Sequence, residues 1–595
     1  MVNVTGTMEV AVQHHKAGRL QQAEKLYNLV LQSVPDHPVV LHSLGTIAYQ
    51  KGQHNIAVEL ISKAIASNRQ VPQFYNSIGV VFVALGKLEK AVGAYKQAIS
   101  LKPDYTEAYN NLALALSIQG RFTEAIANLK QAIQLSPESV EPYYNLANLL
   151  QQQDKYPEAI ENYKQAIQLK PDFAEAYSNL GNALKDHGQC AEAVKSYRQA
   201  IRLKPDCAEI YYNMGNALKN QAQHEEAIES YNQAIRLDPE YAEAYCNLGV
   251  AQRELGQYDK AIKNYEHAIQ LKPKFVEAHW NRSLILLLRG QFAEGWKEYE
   301  WRRNTDLRVT AYPNRDKIPR WDGSSFAGKR LFVHYEQGLG DNIQFLRYLP
   351  MVKSRGGSVI YEAKKPLLGL LGDFEGIDEL KEATFDGKPA VKFDYHIPLL
   401  SLPRIFGTTL KTIPADVPYL TANPAKVKHW RQRLVQTDFK VGLVWAGKPS
   451  HGNDYNRSCA LDHFAPLAGI DGVKLYGLQK GQAAEQAEKL GQRIPVINFG
   501  NEFKDFTDTA GMIENLDLVI SVDTSVAHLA GAMAKAVWVV LPFVPEWRWM
   551  LEREDSPWYP TMRLFRQEKP GDWDGVFQCI AKQLQILMKK QLVVS

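Results

Sequence analysis

Cysteine is scarce in this sequence and follows no pattern. Cys190, Cys207, Cys246, Cys459 and Cys579 are scattered, odd in number and without a CxxC pair, which argues against a disulfide framework and against a zinc site. Such usage suits a reducing compartment, and a cytoplasmic protein is expected. Excess charge is lacking too: a net +4 over 595 residues gives no electrostatic reason for a nucleic-acid partner or an anionic membrane. No apolar run approaches the length that spans a bilayer. Met1 to Thr7 leads into a helical pattern without the basic and apolar regions of a secretory leader, so neither a leader nor a membrane span is expected. Carboxylates and histidines nowhere cluster at metal-ligand spacing, so no metal is expected. What is present, 45% hydrophobic and 23% charged residues, is the composition of a globular chain with core enough for several units.

The first half repeats. Pro103, Pro137, Pro171, Pro205, Pro239 and Pro273 each follow the last by 34 residues, with Pro35 in register. A fixed period of that length implies stacked helix pairs. In one unit, Tyr177, Leu180, Gly181 and Leu184 form an apolar stripe on a first helix, and Ala193, Tyr197 and Ala200 form one on a second. Gly181 and Ala193 are small where the helices cross, and Pro205 closes the second. The pattern is similar to the tetratricopeptide repeat. Nine units run from about Met8 to Arg303, the first two degraded, with Arg69 where the proline belongs.

A ladder of amides keeps the same period: Asn111, Asn145, Asn179, Asn213, Asn247 and Asn281, preceded in phase by Ser43 and Ser77. Two readings are open. The amides tie neighbouring helices together, or they line the inside of a superhelix and bond the backbone of an extended polypeptide, since an amide both donates and accepts. The row resembles the asparagine ladder of eukaryotic O-GlcNAc transferases, which favours the second reading. A shorter row, Asn148, Asn182 and Asn216, lies three residues on.

From Arg302 to Lys329 the period is lost and Pro313, Pro319, Gly323, Ser324 and Ser325 mark an adapter. Strand and helix patterns then alternate. The first series has strands at 330–335, 358–362 and 395–397; after a helix at 424–436, the second has strands at 440–446, 473–478, 495–498, 517–521 and 536–541 and a last helix at 574–590. Alternation predicts right-handed crossovers and parallel sheets with helices on both faces. Two such halves predict a cleft onto which the turns after strands 330–335 and 517–521 open.

Those turns carry the motifs. Gly338 and Gly340 sit between a strand and a helix, where free N–H groups and the positive helix end suit an anion, and Asp341 projects a carboxylate there. Gly338-Leu339-Gly340 with Glu362 about 20 residues on invites a dinucleotide reading, but Ile343 stands where the third glycine belongs. Asp523, Thr524, Ser525 and His528 follow the strand Leu518-Val519-Ile520 and open a helix; they either bind a pyrophosphate or, for Asp523 and Thr524, merely cap the helix. Asp341 is a general base or a helix cap; His396, near the end of a strand, is either the runner-up base or a satisfied structural histidine, the second reading being favoured. Asp572-Trp573-Asp574 reads as a cap. The segment Glu546 to Trp549 stacks on a ligand or packs in a loop.

The block from Phe506 to Leu529, with Asp523-Thr524 and His528, resembles the nucleotide-sugar motif of family 9 glycosyltransferases, the heptosyltransferases. Gly340-Asp341 resembles their N-terminal Gly-Asp, whose aspartate is the base. Trp445-Ala446-Gly447 with Arg457 and His463-Phe464 is similar to the segment carrying their phosphate-binding lysine, so the resemblance puts Arg457 in that role, with Lys448 as a second candidate. Gln479 falls near their acidic sugar- or ribose-binding position, a departure that speaks against ADP-heptose as donor. Joined to the repeats, the whole chain resembles O-GlcNAc transferase in architecture.

The expectation is an all-α tetratricopeptide-repeat superhelix over residues 1–303, an adapter over 304–328, and a GT-B α/β fold of two Rossmann-like domains facing a cleft, 329–422 on the acceptor side and 423–595 on the nucleotide-sugar side. Such a chain is a metal-independent glycosyltransferase with no cofactor, taking a nucleotide diphosphate sugar as donor and a polypeptide held by the repeats as acceptor. Two rivals are a transferase acting on a glycan or lipid-linked acceptor and an inactive transferase serving as a scaffold. The sequence leaves the donor's base and sugar open, and the oligomeric state too, a homo-oligomer included.

Overall fold

The computed structural model describes residues 3–304, 318–384, 391–435 and 438–594. Pro313 of the expected adapter lies outside them. The chain divides into two compact units, Met1–Pro239 and Glu240–Ser595.

In the first unit fourteen helices, from Val4–Lys16 to His224–Leu237, form seven pairs. The period is written into the backbone. The turn inside each pair needs a residue in the left-handed region, and Gly18, Gly52, Gly86, Gly120 and Gly188 supply it at 34-residue spacing; Asp154 (φ 56°) and Ala222 (φ 58°) hold the same conformation in the remaining two. Packing inside a pair is equally regular. A Cβ on Gly79, Gly181 or Gly215 would lie 2.5–2.6 Å from the ring of Tyr95, Tyr197 or Tyr231, so a missing side chain lets a buried tyrosine lie on the first helix. The degraded second repeat still folds, its second helix closing at Ser67 without a proline.

The second unit begins with two more pairs, Ala242–Glu254 with Tyr258–Leu271 and Val276–Leu288 with Phe292–Tyr299. A four-stranded parallel sheet follows, made of β1 (Arg330–His334), β2 (Ser358–Ala363), β3 (Glu379–Glu382) and β4 (Tyr395–Pro398) in the order β3-β2-β1-β4. A six-stranded parallel sheet holds β5 (Phe439–Val444), β6 (Val473–Gly477), β7 (Ile497–Asn498), β8 (Leu518–Val522), β9 (Val537–Leu541) and β10 (Met562–Arg566) in the order β10-β9-β8-β5-β6-β7. The expected strands are present within one or two residues at most ends; β3 and β10 were not foreseen. The helix expected at 424–436 is shorter, Pro424–Arg431, the last helix runs Trp573–Val594, and several connections are short α-helices or 3-10 turns, among them Leu339–Phe345, Lys365–Leu370 and Leu461–Leu467.

The last repeat is part of the α/β core. Leu287, Leu288, Phe292, Trp296 and Tyr299 share one apolar cluster with residues of both sheets, the Trp296 indole N–H donates to the Thr408 carbonyl at 3.1 Å, and Trp547 meets Trp296 edge-on at 5.3 Å. Each such buried side chain contributes about 1.5–3 kcal/mol.

Two outcomes follow from these contacts. A chain of residues 240–595 folds with native near-ultraviolet circular dichroism, while one of residues 304–595, stripped of the five core side chains, is aggregated or molten. Ala222→Gly, which relieves a left-handed alanine, raises the local opening free energy of the Ala208–Leu237 pair by about 0.5–1 kcal/mol in hydrogen exchange.

Candidate functional site

Ligands of open parallel sheets sit beyond the carboxyl ends of strands where the winding reverses. In the smaller sheet that point lies between β1 and β4, in the larger between β5 and β8. After β1, Gln337 takes a left-handed φ of 57° and Gly338 caps the Leu339–Phe345 helix. Asp341 Oδ2 accepts from the Gly338 N–H at 2.7 Å, and the Lys364 ammonium donates to the Gln337 carbonyl at 2.6 Å. After β8, Thr524 caps the Ser525–Ala532 helix through its backbone alone, its hydroxyl instead meeting that of Ser521 at 3.0 Å.

The two turns expected to face one another are in contact. A Cβ on Gly340 would stand 2.8 Å from His528 Cδ2 and 3.4 Å from Ser525 Cα, so glycine is the residue that lets the helix starts meet. His528 is buried, its Nδ1 3.0 Å from the Tyr559 hydroxyl and its Nε2 3.9 Å from Asp523 Oδ1. Burial, then the charges of Arg548, Arg347 and Arg457, hold this imidazole well below its ordinary pKa, so it stays neutral. Burial pushes the Asp523 carboxyl up, tempered by Arg457 and Arg548.

Arg548 joins the halves. Its guanidinium, 7% exposed, pairs with Asp341 from the smaller sheet and with Glu546 at 2.5 Å, bonds Gln344, and lies 4.4 Å from the Trp547 ring centre. Nothing in the sequence singled it out except its place between two tryptophans. Those tryptophans are buried, Trp549 stacking on His528 at 5.3 Å, so of the two readings of this segment, packing is the one observed. Burial pushes the Glu546 carboxyl up to about 7 against the pull of Arg548.

The loop after β5 supplies cations. Arg457 lies 3.4 Å from Asp454, and a Cβ on Gly447 would strike both side chains. Lys448 is exposed. Burial lowers the Lys364 ammonium, Asp341 raises it and Lys448 lowers it, which ties these groups to one neighbourhood; Lys364 was missed because a lone lysine after a strand carries no signal. His451 joins them, lowered by burial and Arg457 and raised by Asp523 and Asp341.

Two candidates fall elsewhere. Gln479 is buried with its amide saturated: Oε1 accepts from the Trp445 and Ala446 N–H groups at 3.1 and 3.0 Å, and Nε2 donates to the Ala446 and Lys480 carbonyls at 3.1 Å each. An amide offers no more than this, so Gln479 is a clamp between strand ends, not a donor-binding side chain. His396, 1% exposed, sits inside β4 opposite Phe332, under the segment where Trp321 bonds its carbonyl at 3.0 Å. That place does not suit a base for an acceptor. Asp572 caps the last helix, accepting from the Gly575 N–H at 2.9 Å.

In the repeats, the amide ladder makes bonds of the first kind. Asn111 donates to Asn76 at 3.1 Å, Asn145 to Asn110 at 2.9 Å, and Asn179 to Tyr144 and Asn148 at 3.0 Å each. The Oδ1 atoms of Asn111, Asn145 and Asn179 have no hydrogen-bond donor among the described residues. Asn213 is half-buried at the same position, Asn247 likewise, and Asn281 accepts from Arg253 at 3.1 Å. The shorter row is structural: Asn148, Asn182 and Asn216 accept from the hydroxyls of Tyr163, Tyr197 and Tyr231 at 2.6–2.8 Å.

Glu362, buried at the end of β2, gives the site region a pH dependence. Burial pushes its carboxyl from 4.5 up to about 7, the Thr384 backbone offsetting part. A raised carboxyl contributes stability that is complete below about 4.5 and is lost as pH rises through 7. Denaturant titrations at pH 4 and pH 8 should therefore show Glu362→Gln gaining on the parent at pH 8, by up to ~3 kcal/mol, and matching it closely at pH 4.

The model for the cilia and flagella-associated protein 70 C-terminal domain matches residues 1–204, and tetratricopeptide-repeat models match 221–253 and 242–275. Protein FlbA of Caulobacter vibrioides is 28% identical over 294 residues, 46% of this chain and 49% of that protein, so the chain spans about half the length of this curated relative. Among solved structures, YrrB, described as a TPR protein with an unusual peptide-binding site, is 24% identical and covered over 96% of its length by 31% of this chain, with a TM-score of 0.29. MamA of Desulfovibrio magneticus RS-1 is 23% identical, 29% of this chain covering 96% of that one, with a TM-score of 0.28. The chain therefore carries an all-α array of tetratricopeptide repeats over its first 300 or so residues, followed by two parallel α/β sheets.

Proposed function

We propose that the chain is a glycosyltransferase of the GT-B type that moves a sugar from a nucleotide diphosphate to a hydroxyl of a polypeptide bound by the repeats. The observation that carries this reading is the contact of the two helix-opening turns, with Asp341 on one and Thr524, Ser525 and His528 on the other. The donor's diphosphate lies at the start of the Ser525–Ala532 helix, where N–H groups and the helix dipole favour negative charge. Arg457, Lys448 and Lys364 add cations from the surrounding loops. Asp341 takes the acceptor proton as the hydroxyl oxygen bonds the anomeric carbon and the bond from that carbon to the diphosphate breaks, its electron pair leaving with the diphosphate. Arg548 aims the carboxylate, and neutral His528 offers hydrogen bonding without a titrating charge. The ladder asparagines of the first unit, Asn111, Asn145, Asn179 and Asn213, hold the polypeptide by its backbone.

A scaffold role has its own support in the repeats. Activity separates the two. A screen of nucleotide sugars for hydrolysis and transfer, with nucleoside diphosphate binding by calorimetry, should find a donor for the parent. Thr524→Ala and Arg457→Ala weaken diphosphate binding about ten- to hundredfold. Asp341→Asn keeps nucleotide affinity within a few fold and loses turnover by about 10²–10⁴. Unchanged diphosphate binding in both phosphate variants, or near-normal turnover in a folded Asp341→Asn protein, refutes the assignment of those residues. No turnover and no diphosphate binding in the parent favours the scaffold.

A further inference from the structure

In the repeat of residues 106–135, one helix face combines an acceptor amide with two exposed apolar side chains. Leu114 and Ile118 follow Asn111 by three and seven residues on the helix Thr106–Ile118, which puts all three on one face. Leu114 is 41% exposed and Ile118 62%. The next three repeats are polar at the equivalent positions, with Asn148, Asn182 and Asn216 in place of Leu114 and Gln152, Asp186 and Asn220 in place of Ile118, although Val250, Leu284 and Leu288 return apolar residues to this register in the last two. Part of the difference is structural: those asparagines accept a tyrosine hydroxyl from the second helix of their pair, whereas the tyrosine position here is Leu129, buried and without a hydroxyl. That accounts for a missing asparagine at 114. It gives no reason for isoleucine at the most open end of the helix.

We infer that Leu114 and Ile118 form a side-chain subsite on the repeats that seats one apolar residue of a bound extended polypeptide. The inference rests on the proposed peptide-binding role of the amide ladder. The occupant follows from what surrounds the patch. Asn111 on the same face, and Asn145 and Asn179 one and two repeats on, keep Oδ1 atoms without a donor among the described residues, while Asn111 and Asn145 each give one Nδ2 hydrogen, and Asn179 both, to the neighbouring helix. All three keep an acceptor, and a peptide backbone in extended form offers N–H groups in a row to bond it. Backbone bonding carries no sequence information. An apolar side chain leaving that backbone and covering Leu114 and Ile118 does, because it removes apolar surface from water at one fixed point of the strand. The ladder thus sets how a polypeptide lies, and the patch sets which residue of it lies there.

The test uses the full chain and a display library of random dodecapeptides. Peptides captured by the parent should share one apolar residue at a fixed position, and the best of them, labelled for fluorescence anisotropy, gives the affinity. The double variant Leu114→Asn, Ile118→Gln takes the residues of the next repeat, Asn148 and Gln152, so the helix retains a pattern this array already folds with. It should weaken the selected peptide about tenfold or more, leave the circular dichroism unchanged, and lose the apolar enrichment when selection is repeated. Asn111, Asn145 and Asn179 changed together to alanine should weaken every captured peptide, with or without the apolar residue. Peptides that depend on the asparagines but show no fixed apolar position, or bind the double variant equally, overturn the subsite and leave the ladder standing. Peptides indifferent to the asparagines overturn the ladder reading itself. A parent that is dimeric in sedimentation while the double variant is monomeric assigns the patch to a second copy and overturns the inference.

Discussion

A guanidinium with 7% of its side chain exposed has to be paired and hydrogen-bonded from several sides, because removing it from water without partners costs several kcal/mol. Arg548 finds its partners on both α/β sheets: Asp341 and Gln344 beyond β1, and Glu546 beyond β9. The requirement fixes more than one side chain. Asp341 is held by Arg548 on one oxygen and by the Gly338 N–H on the other, so its position in the turn is determined twice. The Trp547 ring beside the guanidinium carries the constraint to Trp296 and Tyr299 of the last repeat. The repeats at the end of the array and the α/β sheets are in this way one packed body within the second unit.

The rest of the site follows from close approach. With the Arg548 pairing in place, the Leu339–Phe345 helix meets the Ser525–Ala532 helix so tightly that Gly340 has no room for a methyl group. Two helix starts converge there, bringing N–H groups and positive partial charge from both sheets together. Around them lie the cations Lys364, Lys448 and Arg457, and the groups between are shifted accordingly: His528 is kept neutral, and Asp523 and Glu546 are pushed up by burial. Such a collection of displaced titrating groups at the carboxyl ends of parallel strands is where chemistry on a charged ligand is best served.

The repeats obey a simpler rule. A period of 34 residues sets a glycine or its stand-in at each left-handed turn and a small residue under each buried tyrosine, and these two local demands are enough to stack one pair on the next. The amides show how far periodicity alone can mislead. Two rows with the same spacing lie three residues apart, yet Asn148, Asn182 and Asn216 are spent on tyrosine hydroxyls while Asn111, Asn145 and Asn179 keep an acceptor each. Sequence spacing places a side chain on a face; it does not say what that face touches.

Local pattern determined the elements. Proline at fixed spacing gave the repeat, apolar runs between turn residues gave eight of the ten strands among the described residues, and the polar turns after β1 and β8 marked the candidate site, because each of these depends on backbone conformation within a few residues. Only the tertiary structure decided what long-range pairing decides. Arg548 and Lys364 joined the site through partners up to 207 residues away in sequence. Gln479 left it because its amide was consumed at the end of β5, by Trp445 and Ala446, 34 and 33 residues distant, and His396 left it because β4 inserts beside β1 and is covered by the segment around Trp321. Whether a polar side chain is available to a ligand depends on which backbone groups the fold leaves it to satisfy, and no window of sequence contains that information.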